Sequence, residues 1–143
     1  MAFEWFQKAV SNTETPSSKA YAYYCLGICY YNGHGVGQDY KRSVDLFTES
    51  AREGNTQAEL QLGVCYYYGN GVSRDFDLAF NFLKGASMTE YASTEVYSLL
   101  SKCYRNGFGT KRNIKEADRW LKKAADNNDA DAIAVLRKIS EIK

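Results

Sequence analysis

One motif, laid down three times, constrains this chain more than any other feature. Its clearest copy reads Leu62-Gly63-Val64-Cys65-Tyr66-Tyr67-Tyr68-Gly69-Asn70-Gly71-Val72-Ser73-Arg74-Asp75. An upstream copy runs from Leu26-Gly27-Ile28-Cys29-Tyr30 through Gly33 and Gly35 to Asp39. A more diverged downstream copy runs from Leu100-Ser101-Lys102-Cys103-Tyr104 through Gly107 and Gly109 to Asn113. Gly33, Gly69 and Gly107 stand 36 and then 38 residues apart. A fixed period in this range marks a repeat array, in which each unit buries its apolar face only by stacking on the next. Such an array is a binding scaffold; the period alone does not say what is bound.

Helical spacing and cap residues predict two helices per copy. Repeat 1 spans 17–53, with helices over Ser17–Tyr31 and Tyr40–Glu53. Repeat 2 spans 56–86, with helices over Thr56–Tyr68 and Phe76–Gly85, and repeat 3 spans 94–127, with helices over Thr94–Arg105 and Ile114–Asn127. The paired glycines end each first helix, since glycine takes the left-handed conformation without a steric penalty. Asp39, Asp75 and Asn113 stand where a cap of each second helix is needed, and Thr15-Pro16 suits the start of the first. Thr56-x-x-Glu59 resembles a capping box.

Residues 1–10 read as the second helix of a repeat, aligning with Ala117–Ala125; either the chain is cut mid-repeat or it opens on a lone capping helix. A polar linker, Ser11 to Ser18, follows. The tail, 129–142, reads as an amphipathic capping helix, with Ala132, Ile133, Leu136, Ile139 and Ile142 packed and Lys138, Glu141 and Lys143 in water. A single repeat domain over 1–143 is expected.

Steps of four residues place Ala22, Leu26, Gly27 and Tyr30 on one face, matched by Ala58, Leu62, Gly63 and Tyr66, then by Val96, Leu100, Ser101 and Tyr104. Each second helix offers a small residue and then a large one: Ser43 and Leu46, Ala79 and Phe82, Ala117 and Trp120. These are the expected core.

This pattern resembles the Sel-1-like repeat family, a relative of tetratricopeptide repeats. The family frame is a small residue, then Leu-Gly-x-x-Tyr-x-x-Gly-x-Gly-Val-x-x-Asp, then Ala-x-x-Trp and a small pair. Repeats 1 and 2 match nearly throughout, and repeat 3 departs at Ser101, Thr110 and Asn113. The resemblance implies an all-α, right-handed α-solenoid of antiparallel helix pairs, with the first helices lining the concave side. It also implies adaptor work without catalysis, with no cofactor.

The unburied face of each first helix then becomes the candidate partner-binding surface. It carries Tyr21, Tyr24, Ile28 and Tyr31 in repeat 1, and Gln57, Leu60, Val64 and Tyr67 in repeat 2. In repeat 3 it carries Glu95, Ser98, Lys102 and Arg105. Tyrosine and arginine are enriched at binding hot spots. The expected contacts are Tyr21, Tyr24, Ile28, Tyr31, Leu60, Val64 and Tyr67 for packing, with Lys102 and Arg105 selecting charge. The plainer alternative is that these tyrosines fill gaps between repeats. Tyr68 and Cys25 lie at the edge of the stripe and belong to either surface.

Composition narrows the rest. A net charge of +1 gives no general pull toward nucleic acid or a membrane. Eight basic residues between Lys102 and Lys123, against Glu116 and Asp118 alone, make a local basic patch able to receive an acidic peptide, a phosphate group or nucleic acid, although a solvated outer helix face is the commoner cause and nucleic acid the least expected partner. No apolar run reaches the roughly 20 residues that span a bilayer, and no signal peptide is visible, so the expected setting is cytoplasmic. Cys29, Cys65 and Cys103 occupy equivalent places in successive repeats, and Cys25 stands one turn before Cys29, which reads as reduced packing thiols. His34, the only histidine, sits in a turn without the company a metal site needs. Gly33-x-Gly35-x-Gly37 lacks the strand and lysine of a phosphate loop. Two rivals to the adaptor reading stand beside it. One is a structural spacer that self-associates through its terminal helices, where Phe3, Trp5 and Phe6 offer an apolar face. The other is a hydrolase using Cys29 or Cys65.

Overall fold

The computed structural model describes residues 2–12, 15–90 and 92–142, the side chains of Asn12 and Pro16 aside. Among these there are eight helices and no strand: α1 (Ala2–Asn12), α2 (Pro16–Asn32), α3 (Tyr40–Arg52), α4 (Thr56–Tyr68), α5 (Phe76–Ala86), α6 (Thr94–Asn106), α7 (Ile114–Asp126) and α8 (Ala130–Ile142). Each expected helix is present, with ends displaced by at most one or two residues. The middle of the expected linker, 13–14, lies outside the described residues, as does the expected exposure of Lys143.

The same turn is built three times from backbone hydrogen bonds. Gly33, Gly69 and Gly107 close α2, α4 and α6 with φ of 71°, 75° and 72°. The next residue in each copy donates its N–H to the cysteine carbonyl: His34 to Cys29 and Phe108 to Cys103 at 2.8 Å, Asn70 to Cys65 at 2.9 Å. The cap residue then returns to the tyrosine carbonyl: Asp39 to Tyr30 and Asp75 to Tyr66 at 2.9 Å, Asn113 to Tyr104 at 2.8 Å. Each bond satisfies a group that a helix end leaves open. Repeat 3, despite Thr110 and Asn113, keeps this geometry.

The caps follow. Asp39 accepts from the Arg42 amide at 3.0 Å, Asn113 from Glu116 at 3.1 Å and Thr15 from Ser18 at 3.3 Å. One expectation is corrected: α4 is capped by Asn55, whose Oδ1 accepts from the Ala58 amide at 2.9 Å, and Thr56 is already inside the helix. Asparagine outranks threonine as a cap, and it stands one residue earlier.

The chain divides into two compact units, Met1–Asp75 and Phe76–Lys143. In the first, α1 packs on α2, α2 and α3 form a hairpin, and α4 packs on α3. Gly27 lets α3 approach: a Cβ there would lie 2.7 Å from Cε1 of Phe47, which is fully buried. Tyr24 and Tyr31 flank the Phe47 ring at 6.1 and 6.3 Å.

In the second unit, α6 and α7 form the matching hairpin, with α5 on α6 and α8 on α7. Ser101 replaces the glycine, and its hydroxyl donates to the Ala117 carbonyl at 2.8 Å, so its oxygen is buried with a partner. Gly109 meets the backbone carbonyl of Phe76, leaving no room for a Cβ. Phe76 stacks on Phe108 with centroids 4.0 Å apart. On α8, Ala132, Leu136 and Ile139 pack against Leu121 and Ala124 as expected, but Ile142 does not: it is 86% exposed, beyond the packed stretch.

Candidate functional site

In the first unit, α1 lies against α2 through Phe3, whose ring meets Tyr30 edge-on at 5.5 Å. Short of full contact, the two helices enclose a cavity of about 500 Å³. Phe3 and Phe6 form one wall; Tyr24, Cys25 and Ile28 form the other; His34 and Gly35 close the end. A second cavity, about 380 Å³, lies between Trp5 and Ala9 on α1 and Tyr21 on α2. Trp5 and Tyr21 are 63% and 54% exposed, so two large aromatic rings stand in solvent beside an apolar hollow.

The sequence-predicted residues therefore separate. Tyr24 and Ile28 share the larger cavity, and Tyr21 edges its neighbour. Tyr31 has turned to structural work. Its ring packs on Tyr40 at 4.9 Å, and its hydroxyl accepts from Asn70 Nδ2 at 3.2 Å, a residue 39 positions away. Leu60 and Val64 are only 7% and 4% exposed and offer a partner little surface. Tyr67 is half-buried and meets the exposed Tyr68 edge-on at 5.0 Å.

In the second unit, Lys102 and Arg105 line a cavity of about 290 Å³ with Ser98 of α6 and Asp131 and Val135 of α8. Arg105 is already engaged: its Nη2 lies 2.8 Å from Asp118 Oδ1. Lys102 is the exposed cation of the pair. Sequence reasoning missed Asp131 and Val135 as part of this wall. The signal was present, because a helix following repeat 3 takes the place of another first helix.

Around these cavities a phenol and a thiol are held in their protonated forms. The Tyr21 hydroxyl is held above its ordinary pKa chiefly by its hydrogen bond to the Cys25 side chain. Burial pushes the Cys25 thiol up, and the hydrogen bond from Tyr21 only partly opposes it. Burial also raises Cys29, and it lifts Cys65 to about 12 and Cys103 to about 11. An activated cysteine requires the reverse, a thiol lowered by nearby positive charge. Cys29 and Cys65, the thiols of the hydrolase alternative, are therefore held protonated at neutral pH. Among the described residues, no three His, Cys, Asp or Glu side chains converge to hold a metal ion, and no helix is long and apolar enough to cross a membrane.

The Sel1 repeat model matches residues 1–13, 20–55, 56–88 and 94–129, most of the chain. The chain belongs to the Sel1 repeat family. Sel1 repeat proteins are generally protein-interaction scaffolds and generally non-catalytic. Two solved Sel1-type structures superpose well. One is c5321, a protective antigen of uropathogenic Escherichia coli displaying an SLR fold. It gives a TM-score of 0.75 at 31% identity over 90% of this chain. The other is a Sel1 repeat protein from Oxalobacter formigenes, with a TM-score of 0.74 at 28% identity over 95% of this chain. The fold is thus an all-α repeat solenoid. A curated relative, the chitin synthase regulator SKT5 of Saccharomyces cerevisiae, is 32% identical over 137 residues, 95% of this chain. The chain spans 19% of the length of that relative, 26% of c5321 and 53% of the Oxalobacter protein.

Proposed function

We propose that this Sel1 repeat chain is a non-enzymatic adaptor that receives an extended segment of a partner protein on the face of α2 that borders α1. The observation that carries the reading is a pair of apolar cavities between α1 and α2, the larger lined by Tyr24 and Ile28 and the smaller bordered by solvent-exposed Trp5 and Tyr21. Large aromatic side chains left in water beside an apolar hollow are the surface a partner desolvates. Tyr21, Tyr24 and Ile28 supply the packing, with Phe3 and Phe6 opposite. Lys102 contributes charge selection within its own unit, and Arg105 does so only through its pair with Asp118. A relative named as the regulator of an enzyme agrees with an adaptor role. A cytoplasmic setting belongs to the same proposal, since four free thiols suit a reducing compartment.

The test is a displayed peptide library selected on the wild-type chain and then rebound to Tyr21→Ala/Ile28→Ala. Binders should lose about tenfold or more in affinity, the loss of roughly 1.4 kcal/mol expected when packing anchors are truncated. Helical signal and melting temperature should stay close to wild type. Selected binders that ignore the substitutions, or a selection that yields none, remove this face from consideration.

Self-association is the second reading, favoured by exposed Trp5 on α1 and by Val135 and Ile142 on α8, 42% and 86% exposed. Sedimentation over a dilution series decides it: a single monomeric species at high concentration eliminates this reading.

A further inference from the structure

The second unit holds a cluster that the adaptor reading does not use, in which three cations gather on one indole. Lys84 Nζ lies 4.8 Å from the Trp120 ring centroid, Lys123 Nζ 5.2 Å and the Arg119 guanidinium carbon 5.6 Å. Lys123 is also 4.9 Å from the ring of Tyr97, which stacks on Trp120. Aromatic faces attract cations, but they do not relieve repulsion between them. Each ammonium lies about 5 Å from the same ring centroid, so the two are at most about 10 Å apart, a distance comparable to the screening length of about 8 Å at physiological salt.

The acceptors are missing. Glu116 pairs with Arg119 at 3.3 Å. Neither Lys84 nor Lys123 forms a salt bridge among the described residues. The Trp120 Nε1 is buried and has no acceptor among the described residues, although the residue itself is only 2% exposed. Nearly every buried polar group in a folded protein finds a partner, so an orphan donor here needs a reason. The cluster is therefore rich in donors and positive charge and short of oxygen.

We propose that Lys84, Arg119 and Lys123 form a binding site for a phosphoryl group carried on the side chain of a partner protein segment. A phosphomonoester brings nearly two negative charges and three acceptor oxygens, which supplies the counter-charge that Lys84 and Lys123 lack. Lysine and arginine are the side chains that pair with such a group, and the Trp120–Tyr97 stack gives them a rigid floor. The three cations gather around one indole rather than along an extended track, which favours one phosphoryl group over a polyanion such as nucleic acid. This site does not depend on the α1–α2 reading, so either can fail alone.

Trp5→Phe leaves Trp120 as the only indole, a built-in reporter. Its emission is followed during titration with inorganic phosphate and with a glycine-flanked phosphoserine pentapeptide, at ionic strength held constant with sodium chloride. Both should give a saturable change. Lys84→Gln/Lys123→Gln should raise the dissociation constant at least about tenfold, and Lys84→Arg/Lys123→Arg should leave it within about twofold. Circular dichroism checks folding; should the double glutamine variant not fold, Lys123→Gln alone should weaken binding about threefold. The proposal is overturned by the absence of a saturable response, or by an equal response to the unphosphorylated peptide. It is equally overturned by binding unchanged in the glutamine variants. Response to free phosphate without the phosphopeptide, or tighter binding of an oligothymidylate than of the phosphopeptide, also rejects it.

Discussion

Gly27→Ala and Gly85→Ala are the same chemical change in two helices, and the structure assigns them opposite signs. Replacing a helical glycine by alanine removes backbone freedom from the unfolded chain and gains about 0.5–1 kcal/mol where nothing else intervenes. At Gly85, in α5, an added Cβ meets nothing within 4 Å, so the gain should survive whole. At Gly27 the Cβ would lie 2.7, 2.8 and 3.3 Å from Cε1, Cδ1 and Cζ of Phe47. That ring has no exposed surface, and Tyr24 and Tyr31 stand beside it, so it has little room to retreat. Overpacking of this kind costs about 1–3 kcal/mol, which exceeds the propensity gain and leaves a net loss of about 1 kcal/mol. For a chain of this size, 1 kcal/mol corresponds to about 3 °C in melting temperature. Thermal melts followed at 222 nm should therefore show Gly27→Ala down by about 3 °C and Gly85→Ala up by about 2 °C. The clash also predicts a coupling: in a Phe47→Leu background, which lacks Cε1 and Cζ, Gly27→Ala should cost less or nothing. If Gly27→Ala raises the melting temperature as Gly85→Ala does, the close approach of α2 and α3 is not what requires glycine there.

Other consequences can be checked as directly. Ser101→Ala should destabilise by about 1 kcal/mol in urea unfolding, because it removes the buried side-chain hydrogen bond to the Ala117 carbonyl. Asp39→Ala should cost about 1 kcal/mol by removing the α3 cap, while Asp39→Asn should cost little. The folded state holds the Cys65 and Cys103 protons well above the ordinary thiol value of 9.0, to about 12 and about 11. The unfolded chain releases them first, so this contribution to stability is whole below about pH 9 and shrinks as pH rises toward 11–12. Urea midpoints should fall across that window, less steeply in Cys65→Ala; an unchanged slope would sink the assignment. In native labelling with a thiol reagent, half-buried Cys25 should react first, with fully buried Cys65 and Cys103 reacting only on unfolding.

Much of the fold was legible because the decisive interactions are local. The turn after each first helix joins residues five to nine positions apart, as in His34 to Cys29 and Asp39 to Tyr30, so its glycines and cap residues record it in one short stretch. The misassigned cap of α4 shows the limit of such reading. Asn55 and Thr56 are both cap residues one position apart, and the preference for asparagine over threonine is too small to fix the helix start without the backbone geometry. The candidate binding face was harder. Helical spacing grouped Tyr24 with Ile28, which line one cavity, yet it grouped Tyr31, Leu60 and Val64 with them on equal terms.

What the amino-acid order determined by itself is the repeated brick: two helices, their caps, the left-handed glycines and the small residues that admit a neighbour. What only the tertiary structure decided is which surfaces remain open. Asn70 reaches Tyr31 across 39 residues and makes it part of the scaffold, and Asp118 takes Arg105 into an ion pair. α1 comes down on α2 without filling the space beneath it, and Lys84 of α5 joins Lys123 of α7 over one indole. A helix period specifies which side chains share a face; the partner of that face arrives from elsewhere in the chain. Its fit depends on the offset between stacked helices, which no single stretch of sequence encodes.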